Sequence, residues 1–140
     1  MSARAGAGLS FNYKKLPNGI LRPLIRIEVS TARNKDGVPC EALVDSGADF
    51  CILKADIGEI LGLDIKSGAP FDYRGISGAK STGYFHRVWL AVKETRFMAD
   101  VVFSYDIPRG GHQVVGQVGF FDHFKVNFDY RKASIVLRAR

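Results

Sequence analysis

Turn signals recur about every ten residues through this chain, and the runs between them are short and apolar or alternating. That rhythm points to a mostly-β sandwich or barrel with one or two short helices. "ILRPLIRIEVS" alternates from Leu24 to Val29 and is expected as a strand. "ARNKDG" reads as a turn, with Asp-Gly its strongest element. "VPCEALVDS" gives a second strand running up to Asp45, and "FCIL" a short buried one.

The remaining segments continue the pattern. "KADIGEILGL" predicts a short helix with Ile57, Ile60 and Leu61 at helical spacing and Gly62 as its stop. A long hairpin follows, with arms Phe71–Arg74 and Tyr84–Val92 and a tip carrying Gly75, Gly78 and Gly83. "RFMADVVFS" is a further strand and "YDIPRGGHQ" a loop. "VVGQVGFFDHF" starts as a strand and is expected to become a second short helix, with Phe120, Phe121 and Phe124 packing from one face. Two strands around a polar turn close the chain. No internal repeat is visible. Residues 1–19 are expected as a flexible arm and residues 20–140 as one domain.

With 140 residues, 46% of them apolar and 24% charged, the composition is that of a soluble globular domain. No run approaches the roughly 18 apolar residues of a membrane span, so no membrane partner is expected. "MSARAGAGLSF" lacks the apolar stretch of a signal peptide, which leads us to expect a cytoplasmic, reducing setting. The net charge of +6 favours acidic partners, but its densest patches, "NYKK", "DYRK" and "LRAR", are short and scattered. Nucleic acid is therefore not the expected partner. Cys40 and Cys51 are too few for a disulfide framework.

One stretch breaks the pattern of ordinary strands and turns. In "ALVDSGADFCIL", Asp45 leaves an apolar strand, followed by the hydroxyl of Ser46 and then by Gly47. A carboxylate emerging from a partly dry place needs donors, and Gly47 lets backbone N–H groups and a substrate come close. A lone aspartate ionises near pH 4 and is a poor base at neutral pH. Two carboxylates side by side share a proton, so one can accept a proton from water while the other donates to a substrate carbonyl. Asp-Ser/Thr-Gly occurs once here. A second carboxylate must then come from another copy of the chain, across a two-fold axis.

With this motif the chain resembles the retropepsins, the single-domain aspartic proteases of retroviruses and their bacterial relatives. "LVDSGADFCIL" resembles the family's catalytic motif, "RGISGAKSTGYF" its glycine-rich flap, and "VVGQVGFF" its second motif, in the family's order. The likeness covers about Leu21 to Arg138. It implies a closed acid-protease barrel with one lobe per chain, peptide hydrolysis without cofactor or metal, and a homodimer. It assigns Asp45 as the catalytic aspartate and Ser46 as the hydroxyl that bonds across the dimer. Gly47, Ala48 and Asp49 would meet the substrate, as would Gly75, Ile76, Ser77 and Gly78 in the flap. Val114, Val115 and Gly116 would support the catalytic loop. Gln117 stands where the retroviral motif often has an arginine, and the arm before Ile20 has no counterpart in the smallest members.

Other readings of the same residues carry less. Asp45-Ser46-Gly47 could be turn chemistry alone, and the hairpin could be inert. "GAKST" grazes a phosphate loop, but Ala79 replaces the glycine before the lysine and no helix follows. The spacings of His86, His112 and His123 with the cysteines match no zinc signature. A Cys–His pair stays open, although nothing marks either thiol as activated. Ser46 fails the nucleophile-elbow pattern because Val44 stands where glycine belongs. The expectation is therefore an aspartic endopeptidase acting on a peptide or protein substrate, with apolar subsites around Ile52, Ile76 and Val115. The rivals are a retropepsin-like dimerisation or peptide-binding module without hydrolysis, and a basic nucleic-acid-associated domain.

Overall fold

The structure, a computed structural model, describes residues 8–75 and 78–140. Six strands close on themselves: β4 (Leu24–Ser30), β5 (Val38–Val44), β10 (Gln113–Val115), β6 (Cys51–Lys54), β9 (Thr95–Ser104) and β8 (Lys80–Val92), in that spatial order. The last link is β8 back to β4, with Glu28 opposite Ala91 and Ser30 opposite Trp89. This closure leaves no free edge around the barrel. β7 (Ala69–Arg74) lies outside the ring and, among the described residues, pairs only with β8, from Ala69 opposite Phe85 to Arg74 opposite Lys80.

A smaller sheet has the order β1 (Leu9–Asn12), β12 (Ser134–Ala139), β11 (Phe124–Asp129), all antiparallel. β2 (Lys14–Lys15) and β3 (Leu21–Arg22) make a two-stranded ribbon. Strands thus occur inside the segment expected as a flexible arm. Leu9 and Phe11 alternate inward from β1 onto the core, which gives that stretch apolar contacts to hold it.

Alternation builds the interior. Ile25, Ile27 and Val29 point inward from β4, while Phe97, Ala99, Val101 and Phe103 do so from β9. Ile135 and Leu137 of β12 belong to the same cluster, so barrel and terminal sheet share one core. Phe120 and Phe124 join the two, their rings 5.1 Å apart and Phe97 5.4 Å from Phe124.

Three local expectations are corrected. The helix α1 (Ala55–Ile60) forms, and Gly62 ends it with φ of +86°. Its buried positions are Ala55 and Gly58, however, and Ile60 is 69% exposed. A Cβ on residue 58 would collide with Ile65 and crowd Phe103, so the helix sits down on its smallest residues. The second helix is instead a run of turns over 117–123. Gly119 has φ of +104°, outside the helical region, and its N–H is met by the Asp122 carboxylate at 3.1 Å. Gly83 belongs to β8 and not to the hairpin tip. It lies buried between Phe71 and Ser104, where a side chain would strike Val102.

Both thiols are free. Cys51 is fully buried, accepting the Gly116 N–H at 3.4 Å and lying 3.7 Å from the Val118 carbonyl. Burial pushes its thiol up to about 12 and that of Cys40 to about 11, from 9.0. Their contribution to stability is therefore complete below about pH 9 and is lost as pH rises from there toward the folded values. Urea titrations should show the advantage of wild type over a Cys40→Ser, Cys51→Ala variant shrinking between about pH 9 and 10.5, at up to about 1.4 kcal/mol per pH unit for each fully shifted thiol. Phe120→Ala should cost about 3–5 kcal/mol. Its unfolding midpoint should fall equally by Trp89 fluorescence, which reports the barrel, and by circular dichroism, which reports the whole chain.

Candidate active site

β10 is inserted between β5 and β6. It runs parallel to β5, with Val115 opposite Val44, and antiparallel to β6, with Val114 opposite Ile52. Asp45 is the first residue beyond β5. Its N–H donates to the Val115 carbonyl at 3.0 Å, which carries the ladder one step further. The chain then turns tightly. The Gly47 N–H donates to Asp45 Oδ1 at 2.9 Å, and the Ala48 N–H to the Asp45 carbonyl at 3.2 Å. Asp45 is half-buried, and among the described residues its Oδ2 has no hydrogen-bond partner.

The loop from 45 to 50 is stitched to the segment after β10. Gln117 N–H donates to the Ala48 carbonyl at 2.8 Å, and Val118 N–H to the Asp49 carbonyl at 2.9 Å. The Gln117 side-chain amide donates to the Ser46 carbonyl at 2.7 Å. Gly116 makes this approach possible. A Cβ there would stand 2.5 Å from the Ala48 oxygen and 2.6 Å from that of Phe50. Gln117 thus holds the backbone of the Asp45 loop through a neutral amide.

Above the loop opens a cleft of about 1200 Å³, with Asp45, Gly47, Ala48 and Asp49 among its lining. Tyr73, Gly75 and Ser81 contribute from the β7–β8 hairpin, and Ile107 and His112 from the loop after β9. Leu43, Ile52 and Val114 supply apolar wall. Val115, expected at a subsite, is completely buried and supports from beneath, and its neighbour Val114 faces the cleft instead. The cause is the period of two along β10. Ser46 is exposed, and among the described residues its hydroxyl has no partner. Asp49 is exposed as well. Gly78 takes φ of +78°, donates its N–H to Gly75 at 2.9 Å and receives Arg74 Nη1 at 2.7 Å. Ile76 and Ser77 lie outside the described residues.

Several cleft residues were not among the candidate site residues read from the sequence. Asp72, Arg74, Asp106 and His112 all line it. Asp72 is held below the usual carboxylate value by the Thr82 hydroxyl, 2.7 Å away, and by Lys80 at 3.2 Å. "YDIPRGGHQ" reads only as a loop, and nothing in it indicates which barrel end it borders. Among the described residues no three His, Cys, Asp or Glu side chains gather as a metal site. Of the carboxylates that line the cleft, that of Asp45 sits on the loop stitched to the segment after β10, with Oδ2 unpartnered among the described residues.

Comparison with known proteins places this geometry in a family. No curated protein matches the chain. Among solved structures, a retropepsin-like aspartic protease from Rickettsia conorii superposes with a TM-score of 0.65 at 16% identity, covering 92% of this chain and 98% of that one. EIAV protease in complex with an inhibitor gives a TM-score of 0.50 at 18% identity, covering 69% of this chain and 82% of that one. The fold is thus the closed, mostly-β retropepsin-like barrel with a single short helix. Residues 29–119, well over half of the sequence, match the aspartyl protease family, and the chain belongs to it.

Proposed function

We propose that this protein is an aspartic endopeptidase whose site is completed by a second copy of the chain. The observation that carries the reading is Asp45. It is half-buried at the base of the cleft, its loop fixed on both sides and one carboxyl oxygen uncommitted. The sequence holds this motif once. A two-fold axis beside the loop would bring Asp45 of the partner subunit against it. The exposed Ser46 hydroxyl, unpartnered among the described residues, suits a bond across that axis.

In such a pair the two carboxyls share one proton. The ionised one takes a proton from water, and the resulting hydroxide attacks the peptide carbonyl carbon. The protonated one gives its proton to the carbonyl oxygen. The tetrahedral intermediate then collapses. The C–N bond breaks, the amine nitrogen receives a proton from one carboxyl, and a hydroxyl proton returns to the other, which restores the starting state.

The hairpin acts as a flap. It lies over an extended peptide, excludes water and offers backbone groups to pair with the substrate in strand fashion. Leu43, Ile52 and Val114 make the subsites beside the scissile bond apolar, which favours hydrophobic or aromatic side chains there.

Asp45→Asn should lower cleavage of a denatured protein or peptide library by at least about a thousandfold. Sedimentation of the variant should match wild type, because the substitution keeps the shape of the side chain and of its loop. A wild-type protein that is dimeric by sedimentation yet cleaves nothing from about pH 3 to 7 would instead leave a peptide-binding module.

A further inference from the structure

At the mouth of the cleft the barrel comes apart. β8 and β9 pair from Val92 opposite Thr95 to Gly83 opposite Ser104, and there β9 ends and the chain bends at Tyr105. β8 continues through Thr82, Ser81 and Lys80 with only β7 beside it. Thr82 is thus the first residue of the hairpin that has lost its barrel neighbour.

Side chains take the place of the missing strand. Ser104 Oγ donates to the Thr82 carbonyl at 2.7 Å, and Asp106 Oδ2 accepts the Thr82 N–H at 2.9 Å. The same Ser104 oxygen accepts the Tyr73 hydroxyl at 3.0 Å and the Asp106 N–H at 3.1 Å. A serine hydroxyl has one proton to give and two lone pairs to offer, and all three are used. Ser104 is 1% exposed, so water does not compete for these bonds. One buried oxygen therefore ties together β7 through Tyr73, β8 through Thr82, and the loop 105–112 that forms the facing wall.

We propose that Ser104 and Asp106 are positioning residues that fasten both arms of the hairpin to the 105–112 wall, so that hairpin and wall respond to substrate as one body. This rests on the reading of the hairpin as a flap. Neither side chain needs to touch the reacting atoms. Their effect is to hold the hairpin in place before substrate arrives, which reduces the ordering that binding must impose. Losing the tie should raise KM while leaving the bond-breaking step little changed.

The test uses the full chain with Asp106→Ala, Asp106→Asn and Ser104→Ala. Hydrogen exchange should quicken about tenfold or more in Asp106→Ala, at Tyr73 and Ser81–Thr82 together with the wall amide of Gly111, which donates to the Pro108 carbonyl at 2.8 Å, while β4 amides stay unchanged. For a cleaved peptide, KM should rise about five- to tenfold with kcat within about twofold. Ser104→Ala, which alters no cleft-lining residue, should do the same. Asp106→Asn keeps an oxygen to accept the Thr82 N–H and should behave as wild type in both measurements. A direct electrostatic role of Asp106 on substrate would instead leave Asp106→Asn as impaired as Asp106→Ala, and would overturn the proposal. So would faster exchange confined to the Thr82 amide. If wild type cleaves nothing, the endopeptidase reading fails, and the exchange pattern still decides whether hairpin and wall are coupled.

Discussion

The contact between the backbones at Gly116 and at Ala48–Phe50 is what the rest of the molecule depends on. Two chain segments distant in sequence pass closer there than any side chain would allow, and the N–H groups after Gly116 close onto the carbonyls of the aspartate loop. A loop holding a reactive carboxyl is ordinarily among the mobile parts of a protein. This one is bonded at residues 45, 46, 48 and 49, which converts it into an extension of the barrel wall. Preorganisation of this kind lets a single carboxyl be presented at a defined place without reorganising during reaction.

The barrel exists in a form that serves this crossing. β10, three residues long, would be too short to persist alone, but it sits between β5 and β6 and has partners on both sides. Cys51 fills the space under Gly116, and Phe120 with Phe124 seals the turns that follow. The terminal sheet shares this core, so distant strands contribute to holding the loop through packing. At the opposite rim the demands differ. The β7–β8 hairpin runs past the end of β9, and the side chains of Ser104 and Asp106 bond the Thr82 backbone where that strand pairing stops.

The strand pattern was legible because β4, β5 and β9 alternate cleanly, and the candidate site stood out because Asp45-Ser46-Gly47 follows such a strand. The apolar-apolar-Gly of "VVGQVGFF" marked the crossing, though the reason that residue 116 tolerates no Cβ is its approach to the Ala48 and Phe50 carbonyls. Three features stayed hidden for physical reasons. A helix of six residues is too short for a stripe, so Ile60 misled where Ala55 and Gly58 decide the packing. The phenylalanines at 120, 121 and 124 have helical spacing, but Gly119 at φ of +104° turns the backbone away from a helix. Ser104 and Asp106 depend on where β9 leaves β8, which is a property of the closed barrel and of no local segment.

If one carboxyl acts only opposite its twin, a mixture of intact and altered chains must lose activity. A fixed amount of wild type would be equilibrated with three parts of Asp45→Asn under conditions where subunits exchange, and peptide cleavage measured. If two intact Asp45 carboxyls are required, activity falls to about one quarter of that of wild type alone, because most wild-type chains then sit in mixed pairs. Activity that does not respond to the added variant would show that a chain works without its partner's aspartate.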